Sequence, residues 1–165
     1  MIVRLSKIAL VAAVALFYSL VVFNNLADYE ANEQFVHHVL QMDTIFSGNL
    51  NLWRAVGSRS LQTLFYWAII SWESAAMVLT WIGVVQLTLA VRQSYGAFNH
   101  AKRFSVAALT LGLLLWFIGF LTVGGEWFLM WQSRSWNGQE EAFRMFASIG
   151  VVLILLLLPE TETQP

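Results

Sequence analysis

The sequence predicts an all-α fold, a bundle of four transmembrane helices with a short amphipathic helix in the first outer loop. Three observations predict it. The 165-residue chain is 58% hydrophobic and only 12% charged, with a mean hydropathy of +0.64, whereas soluble domains carry about a quarter charged residues. Four apolar runs each reach or approach the roughly 20 residues that cross about 30 Å of hydrocarbon. Unpaired backbone is not tolerated in lipid, so each of these runs reads as a helix.

The elements follow in order. The first run, Ile8 to Phe23, is preceded by Arg4 and Lys7. A basic start and an alanine-rich stretch also suit a cleaved leader, but Phe23-Asn24-Asn25-Leu26 offers no small-x-small site, so an uncleaved helix over about 5–26 is expected. The second run gives a helix over 61–91, interrupted by Glu73 and Gln86. The third gives one over 104–131. The fourth, Ala142 to Leu158, gives one over 141–158 and stops at Pro159. A chain of this length has no room for a second domain of ordinary size, so residues 1–165 read as one integral membrane domain.

Between the helices lie outer loops at 27–60 and 132–140. Phe35, Val39, Met42 and Phe46 recur at the spacing of an amphipathic helix within the first. Orientation follows from the basic residues. Arg92, Lys102 and Arg103 crowd the short turn between helices two and three, so that turn and both chain ends are expected in the cytoplasm of a bacterial inner membrane. The tail then runs Pro159-Glu160-Thr161-Glu162. Trp53, Trp127, Trp131 and Trp136 fit an interfacial belt at the outer boundary, where an apolar ring with one N–H suits the headgroup layer.

Composition excludes several function classes. A net charge of −1 provides no basic stripe for nucleic acid, and zero cysteines remove disulfides, thiolate metal sites and thiol nucleophiles. No Gly-rich phosphate loop, Ser-His-Asp constellation or nucleotide fingerprint is present, so neither an enzyme nor a cofactor is expected.

Glu73 carries the most chemical interest. It stands three residues outward of the centre of helix two, where a charged group is expensive unless paired or hydrated, so it is expected to face the bundle interior. It reads as structural polar glue, as a contact for a partner, or as a proton-handling group. Arg54, Arg59 and Arg144 are the candidate ion-pair partners, with Glu126 and Gln86 as further intramembrane polar candidates. His37, His38, Glu33 and Asp43 supply too few convergent ligands for a metal, and a solvated or membrane-surface face is expected there instead. Ala108, Gly112 and Gly119 form a small-residue stripe on helix three that lets another helix approach closely.

The layout resembles a known family. A basic-flanked first helix, an outer loop containing Ser47-Gly48-Asn49-Leu50-Asn51-Leu52-Trp53-Arg54-Ala55, and a second helix containing Trp72-Glu73-Ser74-Ala75 are similar to small bacterial integral membrane proteins of unknown function. The resemblance implies the four-helix layout and supplies no activity or ligand. The expected role is therefore a non-enzymatic accessory or structural subunit of a membrane assembly, with the lipid bilayer and a membrane protein or second copy as partners. The alternative is a small proton-coupled or solute transporter acting through Glu73 as an oligomer.

Overall fold

The computed structural model describes residues 1–159; Glu160-Thr161-Glu162 of the expected tail lie outside the described residues. Among the described residues the chain is helical, without strands. Helix α1 is Ile2–Ala27, and Asp28 breaks it from α2, Tyr29–Gln41. A short 3-10 turn at Leu52–Arg54 leads into α3, Arg59–Ala90. Helix α4, Tyr95–Ala101, fills the basic connection, its first turn capped by the Ser94 hydroxyl accepting from the Ala97 amide. Helix α5, Arg103–Leu114, passes without a break into a π-helical stretch, Leu115–Trp127. Helix α6 is Gln139–Leu157.

Among the described residues three helical segments are long and apolar enough to cross a membrane: Ile2–Ala27, Arg59–Ala90 and Tyr95–Trp127, whose most apolar 18-residue stretches have mean hydropathies of 2.2, 1.6 and 2.3. Helix α6 is set apart by the charges of its first turns, Glu140, Glu141 and Arg144. The third segment stops at Trp127 rather than near residue 131. Leu129 takes a left-handed conformation there (φ 56°), which ends a helix by turning the chain away from its axis. Met42 does the same after α2 (φ 56°), which leaves Phe46 outside that helix and exposed.

Two apolar cores stack along the bundle. One runs through α1, α3, α5 and α6 and centres on Val11, Tyr18, Ala76, Leu109 and Ile149. The other lies under α2 at the end distal to the basic connection and gathers Val36, Leu40, Tyr66, Ile70 and Phe128. Helix α2 leans across this distal end, with Tyr29 edge-on to Tyr66 and Phe35 stacked near Phe120.

Close approach depends on glycine at two places. A Cβ at Gly83 of α3 would collide with the Ser105 side chain and backbone of α5, and one at Gly112 would collide with the Tyr18 hydroxyl. Ala108 is fully buried beside them. Gly119 leaves the stripe: it is exposed and meets only Leu115 of its own helix. The reason is the winding. Beyond Leu114 the hydrogen bonds run i→i+5, so a seven-residue step no longer returns to the same face.

These contacts predict opposite outcomes for one substitution type. Gly83→Ala should destabilise by about 1–3 kcal/mol, the usual cost of overpacking. Gly119→Ala should be neutral or stabilising, by up to about 1 kcal/mol from helix propensity. Thermal unfolding in mild detergent reads both; equal effects would contradict the assigned packing.

Candidate functional site

Glu73 is 2% exposed and faces the bundle interior. Its partner is an amide. Asn25 Nδ2 donates to Glu73 Oε2 at 2.6 Å, and the Tyr66 hydroxyl donates to the Asn25 backbone carbonyl at 2.9 Å. These three residues join the last turn of α1 to the middle of α3. Glu73 Oε1 accepts no hydrogen bond from the described residues and is left to a cavity of about 270 Å³ beside it.

None of the three arginines takes the Glu73 carboxylate. Arg59 pairs with Glu33 across α2 and α3 at 2.5 Å, and that Glu33 is 5% exposed. Arg54 donates to the Trp127 carbonyl at 3.3 Å and lies over the Trp53 and Trp127 rings. Arg144 is exposed on α6. Glu126 is also exposed and stands apart from the cluster, while Gln86 is half-buried far down α3. The histidines go separate ways: His37 Nδ1 meets Gln62 Oε1 at 2.5 Å, and His38 Nδ1 meets Asp43 Oδ2 at 2.7 Å. With Glu33 held by Arg59, the four groups do not converge on one point.

The pairing also sets the level of Glu73 against α1. At the basic end, Arg4 donates to the Val91 carbonyl at 3.0 Å and Lys7 to the Leu158 carbonyl at 2.6 Å, which fixes the level of α1 against α3 and α6. From Lys7 to Asn25 is eighteen residues, about 27 Å at 1.5 Å per residue. From Val91 back to Glu73 is also eighteen. A hydrocarbon layer of about 30 Å, if it started at the basic end, would finish near Glu73. Glu73 is central in α3 yet level with the end of α1, because the first turns of α3, Arg59 to Ile69, project beyond α1 and are covered on one side by α2. At a boundary, a carboxyl reaches headgroups and water with far less desolvation than at the midplane.

Four participants had no sequence signal of their own. Tyr18 and Trp116 sit inside apolar runs, yet the Tyr18 hydroxyl and the Trp116 indole N–H are buried, the N–H directed at the hydroxyl. Asn25 marks only the end of the first run in the sequence. Gln62 is 1% exposed and bridges His37 to the Val56 carbonyl.

The chain matches the family model described as Predicted small integral membrane protein (DUF2165) over residues 3–159, and it belongs to that family. No curated protein and no solved structure matches it. It is thus an integral membrane protein, and the surroundings of its apolar helices are the lipid bilayer.

If Asn25 is the partner of Glu73, Asn25→Leu strands a buried acceptor and should cost about 1–3 kcal/mol. Arg144→Ala should change stability by less than about 0.5 kcal/mol, as surface substitutions do. Thermal unfolding of the two variants separates them, and the reverse order would return Glu73 to an arginine.

Proposed function

We propose that this protein is a non-enzymatic four-helix protein of a bacterial inner membrane that serves as an accessory or structural subunit of a larger assembly. The basic end, with Arg4, Lys7, Arg92, Lys102 and Arg103, faces the cytoplasm by the positive-inside rule, and the α2 layer faces outward. Helix α6 is the fourth span. It packs on α5 through Ile149 and Leu156; counted from Leu158 at 1.5 Å per residue, Glu140 and Glu141 come near the far edge of a layer of about 30 Å, and Arg144 lies about one turn inside it.

The observation that supports a subunit role is the surface of the outer layer. Leu50 is 92% exposed, Trp53 71%, Leu64 63% and Phe46 58%. The part of α3 that projects past α1 adds Leu61, Phe65 and Trp67 to this surface. Single exposed apolar residues need no explanation, but a group of this extent marks a membrane or protein contact. Trp53 and Trp127 suit the headgroup layer, whereas Leu61 and Leu64 stand higher than the lipid reaches.

A second reading, a small proton-coupled or solute carrier working as an oligomer, is favoured by the cavity at Glu73. A relay across the membrane needs further stops. Toward the basic end, the buried face of α3 continues as Ala76, Thr80, Gly83, Leu87 and Ala90, none of which titrates. This weighs for the subunit reading.

Purification of the full chain in mild detergent, followed by native mass spectrometry, tests the role. A membrane protein in fixed ratio should accompany the wild type and be lost from Leu64→Arg, while thermal unfolding of that variant stays unchanged. A lone monomer would overturn the subunit role, and a dimer of the chain by itself would transfer the support to the carrier reading.

A further inference from the structure

The cavity beside Glu73 has a composition that selects its occupant. Its described lining holds one carboxylate, Glu73, and neither lysine nor arginine. Around that carboxylate stand the aromatic rings of Phe35, Tyr66, Trp116 and Phe120. An acid among aromatic faces favours a cation twice over, by direct pairing and by attraction to the ring quadrupoles. An anionic head would find no cationic side chain there, and its nearest charge would be the Glu73 carboxylate. One polar atom on this wall is also unfilled: Glu73 Oε1 lacks a donor, while the buried Trp116 N–H is directed at the Tyr18 hydroxyl. Buried polar groups are ordinarily hydrogen-bonded, so the carboxylate oxygen points to a ligand that brings a donor.

The cavity does not end at its polar wall. Phe35, Val36, Ile69 and Phe120 also wall an apolar groove of about 240 Å³ that runs on to Phe65 and Gly119. Phe65 and Gly119 in turn border a third hollow, of about 220 Å³, which is edged by Trp72 and Ile118 on the lipid-facing surface. Polar head pocket, apolar groove and lipid-facing hollow thus adjoin in sequence between α3 and the π-helical stretch. That stretch is what opens the groove. With Gly119 rotated out of the packing stripe, no side chain fills the space between Leu115 and Val123.

The geometry points to a binding site for an amphiphile with a primary ammonium head and an alkyl or acyl tail. The ammonium donates to Glu73 Oε1, and the tail lies along Gly119 toward the lipid. The position of Glu73 at the edge of the hydrocarbon is where such a molecule places its head. Neither the subunit role nor the carrier role is required for this site. Two sources share the chemistry, an aminated membrane lipid and a free long-chain amine.

The test uses the full chain in a neutral maltoside detergent. Dodecylamine and dodecanol are titrated separately and read by native mass spectrometry as one-to-one adducts. Dodecylamine should bind at least tenfold tighter than dodecanol, and Glu73→Gln should erase that preference, since partition into the micelle is common to both proteins. Val21→Phe fills the cavity from α1 without touching the carboxylate. It should abolish the preference as well, and it keeps the site testable if Glu73→Gln unfolds. Equal binding of amine and alcohol by the wild type, or an undiminished preference in both variants, would overturn the site. For the source, the protein is reconstituted in vesicles of phosphatidylethanolamine or phosphatidylglycerol and then extracted. One retained phosphatidylethanolamine supports the site with a membrane lipid as its occupant, and dodecylamine binding without retained lipid supports it with a free amine.

Discussion

The hydrogen bond from Asn25 to Glu73 sets the register on which the rest of the structure depends. It pins the end of α1 to the middle of α3, so the two longest elements are offset rather than level. At the other end Arg4 and Lys7 fix α1 to the carbonyls of Val91 and Leu158. Between these two sets of contacts lies about one hydrocarbon thickness. Everything past Asn25 is a second storey, built on the projecting turns of α3 and roofed by α2.

That offset explains why the molecule has two cores. The lower one is ordinary helix packing, brought close by Gly83 against Ser105 and Gly112 against Tyr18. The upper one is held by different means. The buried Glu33 carboxylate receives Arg59, Gln62 ties His37 to the Val56 carbonyl, and Thr44 donates to Ser133 at 2.8 Å. A layer of hydrogen-bonded loops with exposed Leu50 and Trp53 differs from both a soluble cap and a lipid-facing helix. Its apolar surface is what supports the proposed subunit role.

Much of this was legible in the sequence, and the remainder was hidden for definite reasons. The long helices followed from apolar runs because lipid permits little else. The amphipathic helix in the first outer loop followed from Phe35 and Val39, although its buried face is Glu33, Val36 and Leu40, set off by α2 leaning across the bundle. The sequence places Glu73 only within its own helix; that it is level with the end of α1 depends on the Asn25 contact. Only the contact with α1 shows that α3 overshoots. Gly119 was read as a packing residue because an α-helical period was carried through a π-helical stretch, which the composition of Leu115 to Trp127 does not announce. Tyr18 and Trp116 count as apolar in any hydropathy window, so their buried polar atoms emerge only when the helices are assembled.

The proposed place of Glu73 at the edge of the hydrocarbon carries most of this account, and its depth can be measured directly. The chain has no cysteine, so a single nitroxide can be placed at Asn24, the exposed neighbour of Asn25, with the protein in phospholipid vesicles. Power-saturation electron paramagnetic resonance against oxygen and a polar nickel chelate should place that label roughly 15 Å from the midplane, at the inner edge of the headgroups. A label within about 5 Å of the midplane would put Glu73 in the centre of the membrane and contradict the two-storey arrangement.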